Sequence, residues 1–214
     1  MIAFLSREEA AQQILELGRR MYERGFVAAN DGNLSIRIGE DAVLATPTGV
    51  SKGFMTEDML VVTDLEGNLL EGTHRPTSEL RMHLRVYAED GDLRAVMHAH
   101  PPFSTAFAVA GIPLDAPILA EALLLLGEVP VAPFALPGTR EVPEAVAPFV
   151  RGHRGILLAN HGSLTWATDP VQAFYYMESI EHYAKISYFS QFGLGQARPL
   201  TDGQIAALEK RREG

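Results

Sequence analysis

Cysteine is absent from this chain of 214 residues. Disulfides and thiolate metal sites are thereby excluded, and any metal ion must be held by His, Asp or Glu. Basic residues are outnumbered: 18 Lys and Arg against 27 Asp and Glu leave a formal net charge of −9. A nucleic-acid partner requires a broad basic face, so none is expected. No apolar run reaches membrane-spanning length, and the N-terminus has no basic-then-apolar leader pattern. No membrane partner is expected, and a cytoplasmic location is the default. Neither a Walker-type loop nor Gly-x-Gly-x-x-Gly occurs, which leaves nucleotide chemistry without support. No linker, low-complexity tract or repeat divides the chain. Residues 1–214 therefore read as one domain, with 47% hydrophobic residues to fill its core.

What is present alternates between helical and strand periodicity. Ser6-Arg7-Glu8-Glu9 is a capping box, and Ala10, Ile14, Leu17 and Met21 follow at helical spacing, predicting a helix that ends near Gly25. Further helices are expected over 78–87, 104–110, 119–126, 142–150, 170–189 and 204–210, with Asp169 capping the long one and Pro170 at its first position. Strands are expected over 33–38, 42–46, 59–62, 93–98, 129–133, 156–159 and 163–166. This order implies a single α/β domain with a central, mainly antiparallel sheet flanked by helices.

Three of the seven histidines stand at strand ends. His98 and His100 follow the apolar run 93–97, and residues i and i+2 of a strand project to one face. His161 follows the apolar run 155–159 inside an Asn-His-Gly turn. Three imidazoles with an open position match a catalytic zinc site, whereas structural sites are closed by four protein ligands. His74, His83, His153 and His182 lack this setting and read as surface or packing residues.

Three loops are suited to hold an anion: 30–35, 46–53 and 75–79. Their hydroxyls, amides and glycine N–H groups are phosphate donors, the third directly ahead of a helix. Each loop taken alone reads as a structural turn or a helix cap. Glu79 reads either as a solvated first-turn acid or as a carboxylate beside this cradle.

Gly-Asn-Leu-Ser, Thr-Pro-Thr-Gly, Pro-Thr-Ser-Glu, His-Ala-His-Pro and Asn-His-Gly occur in this order over nearly the whole chain. Together they resemble the class II aldolase and epimerase family, which also contains the adducin head. The resemblance implies one Zn²⁺ per subunit held by His98, His100 and His161, with Glu79 as a further ligand when substrate is absent. It implies a substrate-phosphate cradle of Asn33, Thr48, Gly49, Thr77 and Ser78. It also implies a homotetramer with active sites between subunits. Thr46-Pro47-Thr48-Gly49 and Glu79 are similar to the fuculose-1-phosphate aldolase branch, whereas the 4-epimerases carry Lys-Pro-Ser-Gly and Ser-Ser-Asp. Two features depart from that branch. Thr77 replaces a serine, keeping the hydroxyl, and the segment 117–123 lacks the branch's acidic tyrosine, leaving Glu121 or water as the acid.

The implied reaction is reversible cleavage of a ketose 1-phosphate, with fuculose 1-phosphate giving dihydroxyacetone phosphate and lactaldehyde. Zinc would stabilise the enediolate as a Lewis acid, and Glu79, as catalytic base, would carry the C3 proton. Such a base is best served by a raised pKa, which burial after it leaves the metal would supply. A lysine Schiff base is the rival device, but Lys52 lies in a loop and Lys185 and Lys210 on late helices. The alternatives are pentulose-phosphate epimerisation, sugar-phosphate dehydration, or a non-catalytic interaction domain of the adducin type.

Overall fold

The computed structural model describes residues 3–212. The first helix, α1 (Arg7–Glu23), is closed by the expected capping box: the Ser6 hydroxyl accepts from the Glu9 N–H and the Glu9 carboxylate accepts from the Ser6 N–H. The elements that follow are β1 (Asn33–Gly39), β2 (Ala42–Ala45), β3 (Val61–Thr63), β4 (Leu69–Glu71), α2 (Leu80–Glu89), β5 (Ala95–Ala99), α3 (Pro102–Ala110) and α4 (Ala120–Leu125). The chain continues through β6 (Val131–Ala132), α5 (Glu141–Val150), β7 (Gly155–Leu158), β8 (Gly162–Ala167), α6 (Pro170–Ser187) and α7 (Asp202–Arg212).

Eight strands form one sheet in the order β4-β3-β2-β1-β5-β8-β7-β6. Every pairing is antiparallel except β6 with β7. The expected α/β architecture is therefore present. Three local expectations are corrected. The short run from Met59 splits into a 3₁₀ turn, Glu57–Met59, and β3. β4 was not expected because all three of its residues are exposed, so it carries no burial pattern. The α-helix of α6 stops at Ser187 and continues as a π-helical stretch, Tyr188–Gly193. Asp169 caps α6 by accepting from the Gln172 N–H, with Pro170 at its first turn. Among the described residues, no helix is long and apolar enough to cross a membrane.

Strand alternation gives the sheet two unlike faces. Leu34 and Ile36 of β1 and Ala95, Met97 and Ala99 of β5 pack with α1 and α6 in one apolar cluster around Ile14, Met21, Phe174 and Met177. The intervening Val96 joins Leu80, Met82, Leu84 and Val86 of α2 and Val142, Val146 and Val150 of α5. Asn33, Ser35 and His98 belong to this second face by register, because Asn33 lies directly opposite His98 in the β1–β5 ladder. A third cluster, around Phe107, Leu114, Leu126 and Tyr183, fills the space between α3, α4 and α6.

Candidate metal centre and anion pocket

Four segments converge at one end of β5. His98 is the last but one residue of that strand and is fully buried. His100 lies just past it, held by its N–H donating to the Phe26 carbonyl at 3.0 Å. His161 sits in the turn between β7 and β8, with its N–H on the Leu158 carbonyl at 3.0 Å. The three rings stand with centroids 4.6 to 5.1 Å apart, and one nitrogen from each lies within 4.8 Å of the others.

The Asn-His-Gly turn has a local physical reason. Asn160 adopts a left-handed backbone (φ +56°), which asparagine tolerates better than most side chains. Gly162 lies against β5 so closely that a Cβ there would fall 2.5 Å from His100 Cδ2 and collide with the Ala99 carbonyl. Gly32 plays the matching part on the other side. It has φ +71°, and a Cβ would lie 3.0 Å from the His98 carbonyl oxygen. Both glycines let backbone approach the histidine strand where no side chain fits.

Hydrogen bonding fixes the tautomers. His98 Nδ1 is 2.9 Å from the Ser163 carbonyl, which can only accept, so Nδ1 carries the proton and Nε2 offers a lone pair. His100 Nδ1 faces the Asp31 carboxylate at 3.3 Å, which leaves its Nε2 likewise a lone pair. Those two Nε2 atoms are 3.0 Å apart. Two lone pairs at that distance repel unless a proton or a cation lies between them. Burial disfavours the proton, pushing His98 down to about 4. Glu79 completes the set: its Oε2 is 3.3 Å from His98 Nε2 and its Oε1 is 3.4 Å from His161 Nε2. Oε1 is buried without a hydrogen-bond donor. Three imidazole nitrogens and a carboxylate oxygen of this kind are a donor set for a divalent transition ion. The residues present therefore fit a metal ion, and His98, His100 and His161 could hold one.

Glu79 occupies the N-cap position of α2, where the Thr77 hydroxyl accepts from its N–H at 3.3 Å. Its own side chain turns to the histidines instead of capping the helix. Glu79, His83 and Tyr87 stand four residues apart on one stripe of α2. This stripe faces Asn33 and Ser35 of β1. The Asn33 amide donates to Glu79 Oε2 at 2.8 Å, so Asn33 Oδ1 must accept from His83 Nε2 at 2.6 Å. His83 Nδ1 is then the acceptor for the Ser35 hydroxyl at 2.8 Å, and Tyr87 donates to Ser35 in turn. One direction of donation runs from Tyr87 to the Glu79 carboxylate.

His83 is therefore not the packing residue that its sequence setting suggested; it is a fully buried hydrogen-bonding link. The legible signal was its spacing of four from both Glu79 and Tyr87. Burial keeps it neutral, pushing it down to about 3. Glu79 is different. Burial favours its acid form, but the neighbouring His98, the Asn33 amide and His161 outweigh burial and hold it below the ordinary carboxylate range. It is a carboxylate in this arrangement.

The five expected cradle residues line one cavity of about 330 Å³ together with Glu79, His100 and His161. Two of its loops are zipped together by backbone: the Thr48 N–H donates to the Arg75 carbonyl at 3.0 Å and the Thr77 N–H to the Thr46 carbonyl at 3.1 Å. Glu121 is not there. It lies on α4 and lines a separate cavity of about 750 Å³ with Arg24, Phe103, His182 and Lys185. The other histidines stay outside the centre: His153 binds the Phe149 carbonyl and His182 lines the second cavity.

The profile of the Class II Aldolase and Adducin N-terminal domain matches residues 12–188. This chain belongs to that family. A 3-oxo-tetronate 4-phosphate decarboxylase of Haemophilus influenzae is 34% identical over 203 residues, covering 92% of this chain and 95% of that protein. An L-fuculose phosphate aldolase of Methanococcus maripaludis is 33% identical, covering 82% of this chain and 94% of that one. Among solved structures, an L-fuculose 1-phosphate aldolase superposes with a TM-score of 0.87 at 31% identity, over 96% of this chain and 97% of the other.

Proposed function

We propose that this lyase of the class II aldolase family reversibly cleaves a ketose 1-phosphate to dihydroxyacetone phosphate and an aldehyde, with fuculose 1-phosphate as the substrate to test first. The observation that carries the reading is the meeting of Glu79 with His98 and His161, beside His100, at the edge of a cavity lined by Thr48, Gly49, Thr77 and Ser78. The domain is taken as residues 1–214, the assembly as a homotetramer and the location as the cytoplasm.

His98, His100 and His161 would hold the divalent ion, read as zinc, with Glu79 as a further ligand when substrate is absent. Such an ion supplies Lewis acidity towards a ketone oxygen. Thr48, Thr77, Ser78, the Gly49 N–H and the Asn33 end of the pocket receive the phosphate dianion, and this binding orients the reacting carbons. In condensation the Glu79 carboxylate takes a proton from C3 of dihydroxyacetone phosphate. In cleavage the C4 hydroxyl gives up its proton, the C3–C4 bond breaks and its electrons pass into the C2 carbonyl; Glu79, having taken up a proton from water, delivers it to C3. Asn33, itself held by His83, orients the Glu79 carboxylate. The proton of the C4 hydroxyl passes to water, or to Glu121 across a subunit boundary, because Glu121 lines a different cavity of its own subunit.

A second reading has its own support. Loss of carbon dioxide from a 3-oxo acid 4-phosphate yields the same enediolate, yet leaves no alkoxide to protonate or deprotonate. The missing tyrosine in 117–123 and the decarboxylase relative both favour it. Supplying the loaded enzyme with fuculose 1-phosphate, ribulose 5-phosphate and 3-oxo-tetronate 4-phosphate separates the readings. Dihydroxyacetone phosphate from the first, with aldehyde, supports the aldolase. Carbon dioxide from the third, with no aldehyde from the first, replaces it by the decarboxylase.

A further inference from the structure

Lys52 is a buried cation that the reaction above does not use. It is 2% exposed and lines the same cavity as Thr48, Thr77 and Ser78. Among the described residues, no other lysine or arginine lines that cavity. Its loop is pressed onto α1: a Cβ on Gly18 would lie 3.1 Å from the Lys52 carbonyl oxygen, and one on Gly53 would lie 2.6 Å from the Tyr22 ring. The side chain is thereby directed inward. Its ammonium donates to the Asn30 carbonyl at 3.1 Å and to the Val50 carbonyl. Asn30 belongs to the loop that delivers Asn33, and Val50 to the loop that delivers Thr48 and Gly49. An ammonium has three protons, and two are taken. Burial pushes Lys52 down to about 8 against the pull of Asp31, so the cation persists at neutral pH.

The remaining cradle residues are neutral, and Asp31 and Glu79 add negative charge to the same cavity. A phosphate dianion entering there needs a counter-charge within low-dielectric surroundings. We propose that Lys52 is the cationic element of the anion subsite: it clips the two cradle loops together and supplies the positive charge that the hydroxyls and amides lack. This rests on the phosphorylated-substrate reading above.

The test is binding of inorganic phosphate to the metal-loaded protein, by calorimetry, with metal content and melting temperature measured alongside. Lys52→Gln and Lys52→Met should each weaken phosphate about tenfold or more, the scale of a lost charge-assisted contact, with metal content retained. Lys52→Arg should recover part of the affinity. Turnover of dihydroxyacetone phosphate in C3 proton exchange should fall far more than that of free dihydroxyacetone. Should Gln prove unfolded, Met preserves the buried stem and carries the test. Equal losses for both ketones would reduce Lys52 to a loop clip and overturn its charge role, as would unchanged phosphate affinity in folded variants. Wild-type protein that binds no phosphate would instead overturn the phosphosugar reading itself.

Discussion

The two faces of the sheet are built from the same strands and do opposite work. Towards α1 and α6, Leu34, Ile36, Met97 and Ala99 pack in an apolar cluster. Towards α2, the residues between them, Asn33, Ser35 and His98, join a buried hydrogen-bonded seam that ends at Glu79. The apolar face tolerates imprecision, since dispersion and hydrophobic gain depend on area and packing more than on direction. The polar face does not, since each buried donor needs its acceptor in line. Stability and function are separated by one residue of strand register.

Substitutions on the two faces should differ in kind, and the largest effect lies with the histidines. His98→Ala, His100→Ala or His161→Ala should each lose bound metal and all measurable turnover, while His153→Ala keeps both. Metal analysis of the purified variants decides this, and a fully loaded His161→Ala protein would remove it from the ligand set.

Glu79→Gln comes next. It keeps shape and should retain most metal, yet slow C3 proton exchange of dihydroxyacetone phosphate by ~10²-fold or more, the usual scale of general-base catalysis. Exchange near the wild-type rate would assign the base elsewhere.

His83→Leu tests the seam itself. It leaves Asn33 Oδ1 without its donor and takes from the Ser35 hydroxyl its acceptor, at a cost of about 1–3 kcal/mol in stability. Turnover should drop by about tenfold as Glu79 loses its orientation, with metal content intact. The pH dependence gives an independent reading. The folded chain refuses a proton at His83 down to about pH 3, whereas the unfolded chain accepts one near 6.5. Between those values the unfolded state binds more protons, so stability falls as pH is lowered, by up to about 1.4 kcal/mol per pH unit from this group. Denaturant melts should show a shallower acid limb in His83→Leu; an unchanged limb would mean His83 titrates normally.

The smallest effect on catalysis is expected one residue from Asn33. Leu34→Ala on the apolar face should cost about 2–5 kcal/mol of stability. Activity per folded molecule should stay at the wild-type level. A tenfold fall in that specific activity would show that the two faces are coupled.

Much of this was written in local sequence. Period-two alternation located β1 and period-3.6 spacing located α1, because burial of one face imposes those periods on any chain, and a continuous apolar run located β5. The capping box at Ser6 and the Asp169-Pro170 start were equally local, since a helix end is satisfied by residues within one turn. The expectation that His98, His100 and His161 converge also held, for strand ends carry their side chains to predictable places. Tertiary structure decided the rest. Whether Glu79 was a solvated helix acid or a partner of the histidines depended on where α2 docks, as did the conversion of His83 from packing residue to link in the seam. Glu121 fell into a different cavity from Glu79 because α4 packs with α6 rather than over the histidines. Lys52 reads in sequence as a loop lysine and is buried in a loop that two glycines let lie close on α1. Sequence sets which residues can be buried and with what period; only packing between distant segments sets which polar groups meet, and so which charges are left to do chemistry.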